Sequence, residues 1–530
     1  MGAAKTRPSL FLHGTHVPTV DVFICTCGEE LSLLLDTVRA ACNLDYPRHK
    51  YRVIILDDGN SPACKKTIES LRKEQYANLR YSARGELVKT HSKAANLNHG
   101  LGFVSKEGAS EMVAVLDCDM IPERNWLRRL LPHILRDQTV AIANVPQCFY
   151  NLPPHDPAGQ LSTACHMCNV AATQQDFHDK AWCNGSGFVV RRKAIDQIGG
   201  FPTTCLLEDM LTSMALTAKG WKSVLVGEPL QWGTVPNSLA GNIKQMKRWA
   251  SGSLTLSHAI PARNKPSDGA VALVEFGLAL SIGKSIICFL ALPVLVLSGN
   301  FLLLDHDPHR VRILLHLAFL DFATHSAQGL LESNIADHCI SILHDFCHLW
   351  MSPYLTPDLF RWLFPRAANV VSGATFRPSG CTTGSEDTGA CRSPVLKRFK
   401  VILWDDSGLL HLAVLVTCLT GVILSVVRTA HASNSNDFHQ MSLYWLTHGG
   451  FPPAVLLWTS VICNGWIPMS YAIWNPYRPE RESLLDRDPK TGVAYPTARA
   501  RDQRHRQSAE WQFKTVALYY VLATLGSWGL

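Results

Sequence analysis

The chain has 530 residues, of which 47% are apolar and 18% charged, with a formal charge of +7 and 17 cysteines. That length has room for two to four domains; so mild a positive charge argues against a nucleic-acid-binding protein and suits one that faces anionic lipid or handles a phosphorylated donor. Cys25, Cys27, Cys118 and Cys183 fall inside strand-like runs or beside acidic motifs, not in a secreted-framework spacing, which indicates a reduced, cytosol-facing domain. The "CTC" at 25–27 lacks a second ligand pair at zinc-site distance.

In chain order, the N-terminal "MGAAKTRPSLFLHG" lacks the long apolar core of a signal peptide, and "MGAAKT" fits a loose myristoylation pattern. Four β-branched-rich runs follow: "VDVFICTC" (20–27), "YRVIILDD" (51–58), "MVAVLDCD" (112–119) and "TVAIANVP" (139–146). Helical patterns separate them, among them 29–42 and 125–135. Alternating strands and helices predict an α/β fold with a mostly parallel sheet and its chemistry at the carboxyl ends of the strands, where Asp57, Asp58, Asp117 and Asp119 fall.

After residue 270 the chain turns apolar. A membrane span needs about 20 such residues, and five candidates stand out at 280–303, 312–332, 409–428, 452–473 and 514–530. The second carries His316, Asp321 and His325, and the fifth is short. Residues 429–451 contain no Lys or Arg, whereas 474–513 hold seven Arg and one Lys. Residues 333–408 hold Arg361, Arg366, Arg377, Arg392, Lys397, Arg398 and Lys400. The excess of positive charge places both basic loops, and the first half with them, in the cytosol, with five crossings and an external C-terminus. The expected domains are therefore an N-terminal segment 1–19, a cytosolic catalytic domain 20–262 and a membrane region 263–530 enclosing a cytosolic loop 333–408.

Each polar motif has a plain reading of its own. "LDDGN" (56–60) suits a turn, "DCD" (117–119) suits solvated acids at a strand end, and "LED" (207–209) suits the start of a helix, where the dipole favours acids. "QMKRW" (245–249) sets Gln245, Arg248 and Trp249 on one helical face, as an amphipathic helix at a membrane surface would. Taken in order, however, the set resembles the family 2 processive glycosyltransferases: cellulose synthases, with hyaluronan and chitin synthases as relatives. The resemblance also takes in "TCGEE" (26–30), "KAANLN" (93–98), "PQCFYN" (146–151), "NGSGFVVRR" (184–192) and "IGGF" (198–201). "TVRAACNLDYP" and "TGVAYPT" look most like fungal cellulose-synthase-like proteins.

The resemblance implies a glycosyltransferase A-type, Rossmann-like domain followed by α-helical transmembrane segments. It implies a UDP-sugar donor, a glycan or lipid or small-molecule acceptor, contact with membrane lipids, and residence in the plasma membrane or Golgi. Thr26, Glu29, Asp57 and Asp58 would line the nucleotide pocket, without indication of which aspartate of the pair points inward. Asp117 and Asp119 would hold Mg²⁺ or Mn²⁺, hard cations suited to oxygen ligands. Lys93 and Arg248 would place charge at the diphosphate. Asp209, with Glu208 beside it, matches the catalytic base that deprotonates the acceptor hydroxyl; Gln245 and Trp249 would hold the acceptor sugar. No protein nucleophile is required.

Several positions depart from the family pattern: Leu207 stands where Thr is usual, Asn184 where Cys is common, and "TFRPSG" (375–380) is a degenerate form of the loop that closes over the donor. Transmembrane helices usually precede the domain, so the sequence predicts either their absence or a shortened gene product. No regulatory domain is expected after the last span, and the Asn184-Gly-Ser sequon is discounted on the cytosolic side. Three functions follow: a membrane synthase extending a β-linked glucan; a transferase adding one or a few sugars to a lipid or small hydrophobic metabolite; and a non-enzymatic scaffold, which the intact acids disfavour.

Overall fold

The computed structural model describes residues 7–85, 92–152, 172–236, 238–259, 394–405, 408–432, 471–473 and 479–502, with residues 320, 324 and 351. The apolar runs fold as β1 (Val20–Thr26), β2 (Tyr51–Asp57), β4 (Met112–Asp117) and β6 (Val140–Asn144), and the helical patterns as α1 (Leu31–Cys42) and α4 (Trp126–Arg136). Between them lie α2 (Pro62–Glu74), β3 (Leu79–Ala83) and α3 (Lys93–Lys106). Further on come α5 (Ala172–Phe177), β8 (Phe188–Arg191), α6 (Arg192–Gln197), α7 (Glu208–Ala218), β9 (Lys222–Leu225) and α8 (Leu239–Ala259).

One sheet has the order β3-β2-β1-β4-β8-β6-β9. Its pairings are parallel except around β8, which runs antiparallel to β4 and β6. A second sheet, β5 (Ile121–Pro122), β10 (Gln231–Gly233) and β7 (Cys148–Phe149), lies close to the carboxyl end of β4.

The central strands are apolar on both faces because helices cover both. Val22 and Ile24 join Val53, Ile55, Ala114 and Leu116 in a core shared with α1, α2 and α4. The alternate residues Phe23, Ile54, Leu56, Val113 and Val115 join a core shared with α3 and α6. This is the period-two alternation of a strand buried on either side, and each such fully buried side chain stabilises the fold by about 1.5–3 kcal/mol. Helix α3 approaches closely at Gly100, where a Cβ would lie 2.6 Å from Leu56 Cδ1 and 3.2 Å from Phe23 Cε2. At the opposite end of the sheet from the acids, Asp21 is fully buried and accepts from Arg52 Nε (2.8 Å) and the Ser110 N–H (3.0 Å). The segment before β1 packs on α4: Arg128 Nη1 donates to the carbonyls of Leu12 (2.6 Å) and Gly14 (3.1 Å).

Farther along the chain, α9 (Val395–Lys400) leads through a π-helical turn (Val401–Asp405) to α10 (Gly408–Ala432), which coincides with the candidate span 409–428. Its side chains are described at only some positions. Taken over the described residues alone, no helix is long and apolar enough to cross a membrane. The other four candidate spans, and loop 333–408 up to residue 393, lie wholly or largely outside the described residues.

Residues 479–502 return to the α/β domain as a hairpin, β11 (Leu485–Arg487) with β12 (Ala494–Pro496). Leu484, Leu485, Ala494 and Ala500 share an apolar cluster with Ala40, Ile121, Cys148, Tyr150 and Trp232. Buried Asp36 of α1 is gripped by Arg487, whose Nη1 and Nη2 donate to its two oxygens at 2.6 and 3.2 Å, and by Arg481 at 3.1 Å.

His133, on α4, is buried with no partner for Nε2 among the described residues. Burial, reinforced by the charges of Arg7 and Arg136, lowers its pKa from 6.5 to about 4. Between those values the unfolded chain binds a proton that the folded chain refuses, so this contribution to stability is present above pH 6.5 and is lost as pH falls to 4. His133→Leu is expected to flatten this part of the stability profile, checked by urea unfolding across the same range; equal slopes in both proteins would exclude His133 as the source.

Candidate active site

Parallel strands that end together bring their last residues together. In register, Thr26 lies beside Asp57, Cys25 beside Asp117, and Asp57 beside Ala83. The Thr26 hydroxyl donates to Glu29 Oε2 (2.7 Å), which also accepts the Cys27 N–H (2.5 Å), so the turn after β1 is closed by its own glutamate.

The two aspartates of "LDDGN" divide their work. Asp57 is buried, and accepts the N–H groups of Gly59 and Ser61 (both 2.9 Å) and the Tyr81 hydroxyl (2.8 Å). Its carboxylate takes the backbone donors where the strand ladder ends, which is why β2 stops there. Asp58 pairs with Arg84 just past β3 and accepts the N–H of Ser92 (3.0 Å), the N-cap of α3. Both carboxylates are thus engaged by protein groups, and Asp58 ties β2, the end of β3 and the start of α3 together.

Lys93, the first residue of α3, reaches into the acidic group. Its Nζ donates to Asp117 Oδ1 (2.5 Å) and to the carbonyl of Gly185 (2.6 Å), and lies 3.9 Å from Glu208 Oε1. Burial acts to lower its pKa, but the charges of Asp117 and Glu208 outweigh burial and hold it above the usual lysine range. Asp119 accepts from Thr234 Oγ1 (3.3 Å). Burial first, then the charges of Asp117 and Glu29, pushes its pKa from 3.8 to about 7.

Among the described residues no group of three or more His, Cys, Asp or Glu is placed to hold a metal ion. What the site offers is two hard carboxylates, Asp117 and Asp119, one of them at an energetic disadvantage in its charged form. That donor set fits a Mg²⁺- or Mn²⁺-type ion that takes one or two protein carboxylates and completes its shell on phosphate oxygens and water.

Helix α7 opens with Glu208 and Asp209, following Leu207 as N-cap. Asp209 Oδ1 accepts the Met210 N–H (2.8 Å). Its Oδ2 rests over Gly185, where a Cβ would lie only 2.7 Å away; with φ +83° there as well, only glycine suits the position. Burial raises the pKa of both acids, against the opposing charges of Lys93 and Arg248.

Helix α8 brings Gln245, Arg248 and Trp249 to this side. It is seated by Gly252, where a Cβ would lie 2.5 Å from Leu207 Cγ, and by Cys205, whose thiol donates to the Gly252 carbonyl (3.5 Å). All three side chains are half-buried, and Gln245 Oε1 and Arg248 Nε are buried without a hydrogen-bond partner among the described residues. Orphaned polar atoms of this kind are costly unless a ligand or water meets them.

The structure adds residues that sequence reasoning did not single out. Ser186 Oγ accepts the Asp117 N–H (3.0 Å) and donates to Gln231 Oε1 (2.9 Å), while Gln231 Nε2 donates to the Ser186 carbonyl (3.0 Å). With Thr234 on Asp119, the β10 region thus touches the support of both "DCD" acids. Tyr81 and Arg84 hold the "LDDGN" acids; Asn184, which departs from the family pattern, has Nδ2 buried without a partner among the described residues. The run "NGSGF" was the available signal for Ser186; "LQWGTVP" carried none.

Residues 18–252 match the model of the glycosyltransferase like family 2. Cellulose synthase 1 catalytic subunit [UDP-forming] of Komagataeibacter xylinus is 34% identical over 249 residues, covering 45% of this chain and 31% of that protein. The cellulose synthase catalytic subunit [UDP-forming] of Xanthomonas axonopodis pv. citri is 30% identical over 242 residues, covering 44% and 31%. The match thus spans under a third of the length of these relatives. Among solved structures, a mannosyltransferase of Pyrobaculum calidifontis in complex with GDP-Man and Mn²⁺ is 17% identical and covers 68% of this chain and 91% of that one, with a TM-score of 0.41. Residues 18–252 are thus similar to the family 2 glycosyltransferases and to the catalytic subunits of bacterial cellulose synthases.

Proposed function

We propose that this chain transfers a hexosyl group from a UDP-sugar, glucose foremost, with inversion, onto the growing end of a β-linked polysaccharide. One observation carries the reading. Lys93 Nζ bridges Asp117 and the carbonyl of Gly185, and Gly185 is the residue on which Asp209 rests. Charge suited to a diphosphate and a carboxylate suited to an acceptor hydroxyl therefore lie within one side chain's reach.

In this mechanism Asp209 accepts the proton of the acceptor hydroxyl as its oxygen bonds to the anomeric carbon and the bond from that carbon to the diphosphate oxygen breaks. UDP leaves with the electron pair. Asp117 and Asp119 would hold Mg²⁺ or Mn²⁺, which when bound offsets the charge growing on the leaving diphosphate. Lys93 and Arg248 add fixed cations, Arg248 with a bidentate fork. Thr26, Glu29, Asp57 and Asp58 shape the nucleotide side. Gln245 and Trp249 orient the acceptor, the indole stacking on a pyranose face. The candidate spans support a membrane-embedded enzyme with this domain in the cytosol; on α10 the exposed Leu412, Val416, Leu419 and Ile423 form an apolar stripe suited to lipid or another helix.

Four outcomes test the reading. Asp209→Asn is expected to lower transfer by about 10²–10⁴-fold while UDP still binds; retained turnover would exclude Asp209 as the base. Because burial raises the pKa of Asp209 above 3.8, and only the ionised base works, the acid limb of kcat/KM is expected above the ordinary aspartate range, with activity falling as pH drops through it. Asp119→Ala is expected to abolish the Mn²⁺-dependent part of UDP binding, measured by calorimetry with and without the ion; a metal effect as large as that of the wild type would remove the proposed site. Labelled UDP-glucose entering insoluble, glucanase-sensitive product supports polymer synthesis; label confined to organic-extractable product would replace it with transfer to a lipid or small molecule.

A further inference from the structure

Residues 479–502 lie far along the chain from the site, yet they pack against the small sheet that supports it. One end of the segment is fixed on α1 by the double arginine grip on Asp36. At the other end, Arg501 Nη1 lies 2.7 Å from Glu123 Oε1 and its guanidinium carbon stands 5.4 Å from the centre of the Trp232 ring. Glu123 Oε1 also accepts from Trp232 Nε1 (2.8 Å), and Arg501 Nε donates to the carbonyl of Pro496, which holds the guanidinium in place. Arginine, glutamate and indole therefore form a closed triangle around the middle residue of β10.

The neighbours of that residue face the site. Gln231 exchanges two hydrogen bonds with Ser186, which in turn accepts the Asp117 N–H; Gly233 passes close to Met120 and the Asp119 carbonyl; Thr234 donates to the Asp119 carboxylate. A shift of β10 would move the supports of both aspartates together. We infer that Arg501 is a positioning residue for the donor site: by holding Glu123 and Trp232 it fixes β10, and through β10 the spacing of Asp117 and Asp119. Residues 479–502 then act as an intramolecular brace, linking the apolar second half of the chain to the carboxylates of the first. This rests on the UDP-sugar reading above.

The test measures UDP binding by calorimetry on full-length protein in detergent, with and without Mn²⁺. Arg501→Ala is expected to weaken Mn²⁺-dependent UDP binding by about tenfold and to raise the Mn²⁺ needed for half-saturation, as losses among the outer partners of metal ligands do. The weak metal-free binding stays the same. Arg52→Ala, which breaks the ion pair with Asp21 at the far end of the sheet, separates positioning from general loosening: it lowers thermal stability and keeps wild-type UDP binding. If Arg501→Ala does not fold, Glu123→Gln, which preserves shape and removes the ion pair, is read in the same way. Wild-type affinity and Mn²⁺ requirement in whichever of these variants folds would overturn the brace. No UDP binding by the wild-type protein would instead overturn the donor reading.

Discussion

Crowded negative charge is the constraint on which this architecture rests. Asp117, Asp119, Glu208, Asp209 and Glu29 gather near the carboxyl ends of the central strands; burial and the charges of Asp117 and Glu29 raise the pKa of Asp119, burial and Asp209 raise that of Glu208, and burial raises that of Asp209. An isolated carboxylate taken into such a place costs several kcal/mol, and like charges side by side cost more. Lys93 makes the arrangement tolerable: it touches Asp117 and lies near Glu208, while Arg248 opposes Glu208 and Asp209 from α8. Asp119, with Glu29 near it, is still disfavoured in its ionised form. A site balanced in this way would be eased by a bound cation.

The support behind the acids is built from neutral groups. Serine, glutamine and threonine hold Asp117 and Asp119 through hydrogen bonds that add no charge, so geometry is fixed without altering the electrostatic balance. Glycine does the complementary work: Gly185 and Gly187, with φ of +83° and +74°, let Asp209 and Gln231 approach the backbone at distances a side chain would block. Rigid strands carrying small residues can hold reactive groups closer than loops can.

How much of this was legible in the sequence depended on element length and charge. β1, β2, β4 and β6 are apolar runs ending in polar or acidic residues, and both features survive in one dimension. β5, β7 and β10 have two or three residues each, too few for a periodic signal, and β8 is only four residues in "GFVVRR". The roles of Asp57 and Asp58 could not be separated beforehand, because an Asp-Asp-Gly turn looks the same whichever carboxylate takes the backbone donors. Gln231, Thr234 and Arg501 gave no sign, since their meaning comes from partners tens to hundreds of positions away. The membrane region was read from composition, and most of it lies outside the described residues.

Helix α3 joins two ends of the domain. Its cap meets Asp58, its first lysine meets Asp117, and two turns later Gly100 rests on Leu56 and Phe23 in the core. The helix can therefore act as a lever whose fulcrum is a hydrophobic contact. A change in the size of Leu56 or Phe23 would slide the lysine relative to the acids, so the spacing of Lys93 and Asp117 is also set by core residues that touch neither.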